Sequence, residues 1–522
     1  MSAVTVTATA ALAESDLIEM TLESAAAAFA RGVTAVALTQ AFLARIATYN
    51  PRYNAIITMN PAALDEARAI DRRRAAGEAL GPLAGVPVVI KDAMDIAGLP
   101  TTAGWHFLSA RAGGVDLIPA TDAPVVARLR AAGCVILGKT NVPVLSASGT
   151  HASDSWAGPT LNAAAPDRMP GGSTAGTATA VAASLAVLGL AEETGGSIQN
   201  PASAQGLVGI KPSFGLVPNT GVVPLAGATR DVVGPIARCV RDAALTLDVL
   251  AGYCAEDPKT VAGIGRRPPG GYTADFSTTA LRGKRLGLYG PGWRDHALSP
   301  ECRTLYARAQ TELTARGAVL LGDPFAGTGF AAIARPISDT YPFDARGMES
   351  CPYDMELYLR RLGPKAAIKN FAEFAALTKA EDPYGPGGVL AYMNELPETA
   401  FTLNNPTIPP KLTDFLAARE AYLAVLDTVF ATHRLDALVF PQMCEELPLL
   451  NSHGTITETT VSEINIAGVP VVTLPAGAYA SGAPFNLVFV GPIWSEAALL
   501  ALAFDYEKSY NHRTAPVLLT QP

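Results

Sequence analysis

The sequence predicts an α/β fold, with a largely parallel or mixed sheet covered by helices. Short β-branched runs bounded by Gly and Pro recur along the chain, and helical patterns lie between most of them. The composition suits a large core: 49% of the 522 residues are hydrophobic and only 16% are charged. That charged fraction is well below the roughly 25% of an average soluble protein, which implies little surface per residue. At about 150 residues per domain the length alone suggests three domains. No internal repeat, charge block or long linker forces such a cut.

Residues 22–49 follow a helical period, broken at Gly32 and restarted at Thr34, a suitable N-cap. Residues 61–80 read as a charged surface helix with Pro61 near its first turn. Residues 86–90 form a β-branched run and read as a buried strand. A helix over 125–132 and a strand over 134–137 follow. Residues 177–188 read as an Ala-rich buried helix behind a Gly/Ser/Thr loop. Further strands are predicted at 285–289, 318–321, 437–440 and 469–474, with helices at 237–251 and 304–316. Residues 325–404 are richer in Tyr, Phe, Met and Pro and carry EDPYGPGG at 381–388. They read as helical excursions and loops over one end of the sheet.

Several function classes are excluded. A net charge of −8 argues against nucleic acid, whose binders usually present a basic patch. The six cysteines form no CxxC pair and no framework, so reduced thiols in a cytoplasmic protein are expected. None of the six histidines has metal-ligand spacing. The N-terminal MSAVTVTATAALAESD has no basic residue before Arg31 and makes a poor signal peptide. Residues 170–191 are uncharged and long enough to span a membrane, but their Gly, Pro and hydroxyl content favours a soluble protein. Residues 133–140, ending in Gly138-Lys139-Thr140, match G-x-x-x-x-G-K-[ST] letter for letter. The four intervening residues, Cys134 to Leu137, are an apolar run suited to a strand rather than a phosphate loop, so nucleotide binding is not expected.

Three features point to different chemistry. Lys91 ends a strongly apolar strand, where a desolvated lysine can lose its proton. A surface lysine at a strand end fits that local pattern equally well. Pro170 to Gly176 and Glu193 to Ile198 each contain Gly-Gly-Ser. Glycines let consecutive N–H groups approach a ligand, as an oxyanion hole requires. One such element is usually a mere loop, but two beside an apolar-strand lysine carry more weight. Neither serine lies in a G-x-S-x-G elbow, and no histidine is close. His151 is expected to be structural or pocket-lining. A nucleophilic serine here needs another base, as in Ser–Lys variants of the triad.

At this point nearly the whole chain resembles the amidase signature family. The carriers are PLAGVPVVIKD at 82–92, GLPTTAG at 98–104 and TDAPVVARLRAAGCVILGKTNVP at 121–143. They continue with Gly158 to Asn162, Arg168 to Ser173, EETGGSIQNPAS at 192–203, GLVGIKPSFGLV at 206–217, DVVGPIAR at 231–238 and INIAGVPVVTLPAG at 464–477. The resemblance implies the amidase signature fold, a large twisted mixed β-sheet with helices on both faces. Residues 1–522 would form a single domain, with a core of about 60–250 plus 430–522 and a variable substrate-side region of about 325–404.

The resemblance also implies a Ser–cis-Ser–Lys triad. Ser197 would be the nucleophile, and Ser173, expected before a cis peptide bond, would relay its proton to neutral Lys91. The N–H groups of Thr194, Gly195, Gly196 and Ser197 would form the oxyanion hole. The pair would activate a weak hydroxyl nucleophile, then protonate the departing amine. No metal or cofactor is implied. Where the family usually continues Ser-Ser-Gly-Gly, this chain has Ser173-Thr174-Ala175-Gly176. Where an Arg usually stands two residues past the nucleophile, it has Gln199, which removes a fixed charge.

The leading expectation is a serine hydrolase of C–N bonds in amides, with ester or carbamate (urethane) cleavage as well. Low charge and the aromatic-leaning 325–404 segment suggest small apolar or aryl substrates, as for an aryl acylamidase or urethanase. The alternative is the amidase-like subunit of a glutamine-dependent transamidation complex. A third reading is a non-catalytic binding protein on the same scaffold. The expected partner is a small-molecule amide, ester or carbamate, with no nucleic acid and no membrane, in a monomer or homodimer.

Overall fold

The computed structural model describes residues 12–337 and 343–520. The signal-peptide reading of the first eleven residues, and residues 338–342 of the aromatic-rich segment, lie outside them. Among the described residues eleven strands form one sheet: β1 Ile56–Met59, β2 Pro87–Lys91, β3 Val135–Thr140, β4 Leu188–Glu193, β5 Val208–Lys211, β6 Val232–Ala237, β7 Arg285–Leu288, β8 Val319–Leu321, β9 Ala437–Pro441, β10 Val471–Ala478 and β11 Pro484–Val490. Their order is β1-β3-β2-β4-β6-β5-β10-β11-β9-β7-β8. β3, β2 and β4 run parallel, as do β9, β7 and β8; the five pairings from β4 through β6, β5, β10 and β11 to β9 are antiparallel. Helices cover both faces, so this is the mixed α/β fold expected.

The strands legible in the sequence are those rich in Val, Ile and Leu. β4 (LGLAEE) is dominated by residues of poor β-propensity and β6 (VVGPIA) is interrupted by Gly and Pro, and both are held by their neighbours in the middle of the sheet. The helix expected over 177–188 is therefore corrected: it runs Ala175–Ala182, and the chain then turns into β4. Every residue of that helix is buried. Gly189 of β4 lets it approach, since a Cβ there would lie 2.4 Å from Thr177 Cγ2. The surface helix expected over 61–80 is shorter, Ala63–Ala75. The restart at Thr34 is as expected, with its side chain accepting from Ala37 N ahead of helix Ala35–Tyr53.

The nucleotide-loop lookalike lies inside the sheet. β3 contains its Gly138, Lys139 and Thr140, all buried. Lys139 Nζ lies 2.8 Å from Asp92 Oδ1, with both side chains fully buried, and donates to Thr101 Oγ1 at 2.7 Å. That lysine is occupied by protein groups.

Within 325–404 the helices Cys351–Arg361, Phe371–Leu377 and Thr399–Asn404 alternate with 3₁₀ turns and loops, as expected. No described helix is long and apolar enough to cross a membrane. The described residues hold no cluster of three or more His, Cys, Asp or Glu able to bind a metal. All six cysteines are free thiols.

Candidate active site

Three chain segments converge at the ends of β2 and β4. β2 delivers Lys91 at its last residue, fully buried. The loop before helix Ala175–Ala182 delivers Ser173, and the loop after β4 delivers Ser197. The two Gly-Gly-Ser elements, far apart in sequence, meet here. Lys91 Nζ lies 2.7 Å from Ser173 Oγ, which in turn lies 2.9 Å from Ser197 Oγ. The cis peptide bond is Gly172–Ser173, so it precedes Ser173 rather than following it. Close packing demands the glycine before it: a Cβ on Gly172 would sit 2.4 Å from Ser148 O.

Thr194, Gly195, Gly196 and Ser197 follow β4 as a turn. Among the described residues their backbone N–H groups meet no protein acceptor. Such a run of free donors beside a serine hydroxyl can receive a developing oxyanion. Immediately before this turn, Glu193, the last residue of β4, is held by amide groups. Its Oε2 accepts the N–H groups of Ile198 (2.9 Å) and Gln199 (3.2 Å), while Oε1 accepts Gln199 Nε2 (2.6 Å) and Asn465 Nδ2 (2.9 Å). The charge missing at Gln199 is thus replaced by amide hydrogen bonds, which satisfy a buried carboxylate.

The sequence reading names no carboxylate partner for Lys91, and the structure supplies one. Glu192 Oε2 lies 2.8 Å from Lys91 Nζ, with the two side chains 2% and 0% exposed. Glu192 Oε1 accepts from Thr194 Oγ1 at 3.0 Å, and that hydroxyl also lies 2.6 Å from Asp231 Oδ1. Burial, reinforced by nearby Glu192, pushes the Asp231 carboxyl up to about 7. The adjacent acids Glu192-Glu193, ending an otherwise apolar strand, were the available signal, since buried carboxylates require partners.

A cavity of about 330 Å³ opens onto Ser197, Thr194 and Gly195. Phe343, Met348 and Tyr392 of the aromatic-rich segment line it, as that segment's composition suggested. Its other side is polar: Arg230, His296 and Glu458. Arg230 is buried and donates to the carbonyls of Thr194 (3.2 Å) and Asp344 (2.8 Å); burial pulls its guanidinium below its usual value. Burial, with Arg294 close by, lowers the His296 imidazole below its usual value. Burial raises the Glu458 carboxyl, which accepts Asn200 Nδ2 at 2.7 Å. None of these polar residues carries a local sequence motif. His151 is not among the lining residues; its ring pairs with Ser153 Oγ at 2.8 Å.

A sequence model of the family described as Amidase matches residues 37–326. A glutamyl-tRNA(Gln) amidotransferase subunit of Moorella thermoacetica is 32% identical over 492 residues, 92% of this chain and 94% of that protein. Among solved structures, the peptide amidase of Stenotrophomonas maltophilia superposes with a TM-score of 0.78 at 32% identity, covering 96% of this chain and 99% of its own. A bacterial aryl acylamidase of the amidase signature family superposes with a TM-score of 0.73 at 23% identity, covering 95% and 97%, a likeness of fold alone. With its family match over more than half its length and these relatives over nearly all of it, the chain belongs to the amidase signature family.

Proposed function

We propose that this protein hydrolyses amide bonds through an acyl-enzyme, with Ser197 as nucleophile, Ser173 as relay and Lys91 as base. The observation that carries the reading is the unbroken buried chain from Lys91 Nζ through Ser173 Oγ to Ser197 Oγ, in steps of 2.7 and 2.9 Å. As Ser197 attacks the carbonyl carbon, its proton passes to Ser173 and the proton of Ser173 to the amine of Lys91. The N–H groups of Thr194, Gly195, Gly196 and Ser197 receive the oxyanion. Collapse breaks the C–N bond, and the same relay run backwards protonates the leaving amine. Water then attacks the acyl-enzyme along the same path, releasing the acid. The whole chain, 1–522, works as one domain in this reading.

Two finer readings divide the substrate. The apolar wall of Phe343, Met348 and Tyr392 supports a small apolar or aryl amide, ester or carbamate. The curated relatives give more direct support to the second, the amidase subunit of a glutamine-dependent transamidation complex: the Moorella protein shares 32% identity over nearly the full length of both chains. Arg230, His296 and Glu458 in the cavity suit a polar amide donor in the same way. The deciding experiment is a hydrolysis panel of glutamine, peptide amides, anilides, esters and carbamates, with Ser197→Ala as control. Release of ammonia from glutamine above all other substrates establishes the second reading; preference for anilides or carbamates establishes the first. Covalent labelling of Ser197 by a fluorophosphonate is expected in both, and failure to label under conditions of turnover overturns the mechanism.

A further inference from the structure

Glu192 is a buried acid that the reaction as written leaves idle, yet it makes two of the contacts of Lys91 Nζ. Its carboxylate oxygen Oε2 lies 2.8 Å away and its own backbone carbonyl 3.2 Å away. The remaining contact is Ser173 Oγ at 2.7 Å. In the neutral state that the proposed relay requires, the amine has two N–H bonds and one lone pair, so giving both N–H bonds to Glu192 leaves the lone pair facing Ser173.

The carboxylate itself is pinned. Thr194 Oγ1 stands between Glu192 Oε1 (3.0 Å) and Asp231 Oδ1 (2.6 Å). One hydroxyl carries one proton, so bonding both acids at once requires a proton on one carboxyl. Asp231, raised to about 7 by burial and by Glu192, is suited to carry it and to donate to Thr194, which then donates to Glu192. Asp231 is anchored in turn by the N–H groups of Leu225 (3.1 Å) and Ala226 (3.0 Å).

We propose that Glu192 is the positioning residue of the base: held through Thr194 to Asp231, it takes both N–H bonds of the Lys91 amine and aims its lone pair at Ser173. The proposal rests on the assignment of Ser197, Ser173 and Lys91 above and deepens it. Because Thr194 also contributes an N–H to the oxyanion turn, one residue aligns the base with the site of developing charge.

The test compares Glu192→Gln, which keeps an acceptor oxygen at nearly the same place, with Glu192→Met, which keeps length but offers no oxygen. Steady-state kinetics on the best substrate of the panel, the rate of fluorophosphonate labelling and thermal midpoints are measured for each. Glu192→Met is expected to lower kcat on the order of 100-fold, a typical loss for a misaligned general base, with KM nearly unchanged. Labelling should slow in step, and Glu192→Gln should recover most of the rate. Should the Met variant not fold, Glu192→Asp, which withdraws the carboxylate by one methylene, must lose more rate than Gln does. Equal rates for Gln and Met, a KM change matching the kcat change, or a Gln variant slower than Asp overturns the proposal. Ser197→Ala separates the two levels: full activity in that variant removes the mechanism itself, whereas an inactive Ser197→Ala beside a fully active Glu192→Met removes only the role of Glu192.

Discussion

Two lysines sit side by side at the ends of neighbouring parallel strands and are built from the same parts. In the register of β2 and β3, Ile90 faces Lys139 and Lys91 faces Thr140. Both side chains are fully buried, and each has a carboxylate oxygen at 2.8 Å: Glu192 for Lys91, Asp92 for Lys139. In each neighbourhood a threonine hydroxyl leads to a second acid, Thr194 to Asp231 and Thr101 to Asp95 at 3.0 Å. The difference lies in one further contact. Lys91 touches Ser173, which continues to Ser197 and the open cavity, whereas Lys139 is enclosed by Thr101, the Pro100 carbonyl and Asp92. Asp95 is also tied off, by Tyr358 at 2.9 Å and Arg361 at 3.3 Å. Burial and a carboxylate partner are common to both lysines. A hydroxyl path to a cavity is what Lys91 has and Lys139 lacks, and the proposed role of Lys91 as base rests on that path.

The comparison breaks most visibly under substitution of the lysines. Lys91→Ala and Ser197→Ala should each reduce turnover on the order of 10⁶-fold, as loss of a member of such a unit typically does. Lys139→Met should leave kcat of the folded fraction near the wild-type rate. It should instead cost about 3–5 kcal/mol of stability, because Asp92 is left buried without its cation. Denaturant titration and steady-state kinetics on the same preparations check both halves. Turnover lost in Lys139→Met at unchanged stability would contradict the division of roles.

How much of this contrast is legible in the sequence depends on whether a residue's task is local. Lys91, Ser173 and Ser197 stand out because an apolar strand and two Gly-Gly-Ser turns mark them, and the family resemblance orders them. The same reading sees Lys139 only as half of a nucleotide motif, since its carboxylate and hydroxyl partners come from the segment after β2. β4 escapes notice because Gly, Ala and Glu dominate it; its strand conformation is imposed by β2 and β6. Helix Thr413–His433 was legible in principle, since buried Phe415, Ala418, Tyr422, Leu426, Val429 and Phe430 recur at helical spacing. Arg230, His296 and Glu458 lie in unrelated loops and strand ends, and only the folded chain brings them to one cavity.

Smaller effects should separate the open end from the closed one. Met348 is one of the apolar residues lining the cavity. Met348→Ala should shift kcat/KM between substrates differing by one methylene by about ten-fold, toward the larger. At the closed end, Tyr358→Phe removes the bond to Asp95 and should cost about 1–2 kcal/mol of stability with the same substrate ranking as wild type. A changed ranking in Tyr358→Phe would show that the two ends communicate, and none in Met348→Ala would remove Met348 as a determinant of substrate size.

The smallest effect tests the paired second acids through pH. Burial pushes Asp231 up to about 7 and Asp95 up to about 6, from an ordinary value of 3.8. Between the ordinary and the raised value the folded chain holds a proton that the unfolded chain has released. Stability therefore falls as pH rises through that window and is level above it. Asp354, raised to about 6, and Glu507, raised to about 7, act in the same direction, so the informative quantity is the difference between variant and wild type. Asp231→Asn should flatten the decline of the thermal midpoint from about pH 4 to 7, and Asp95→Asn only from about pH 4 to 6. The narrower window follows from the neighbours: Lys139, Tyr358 and Arg361 pull Asp95 down, whereas Glu192 pushes Asp231 further up. Scanning calorimetry across pH 4–8 resolves the two windows. Identical windows would mean that Asp231 does not feel Glu192, and that the acid behind Lys91 is no different from the acid behind Lys139.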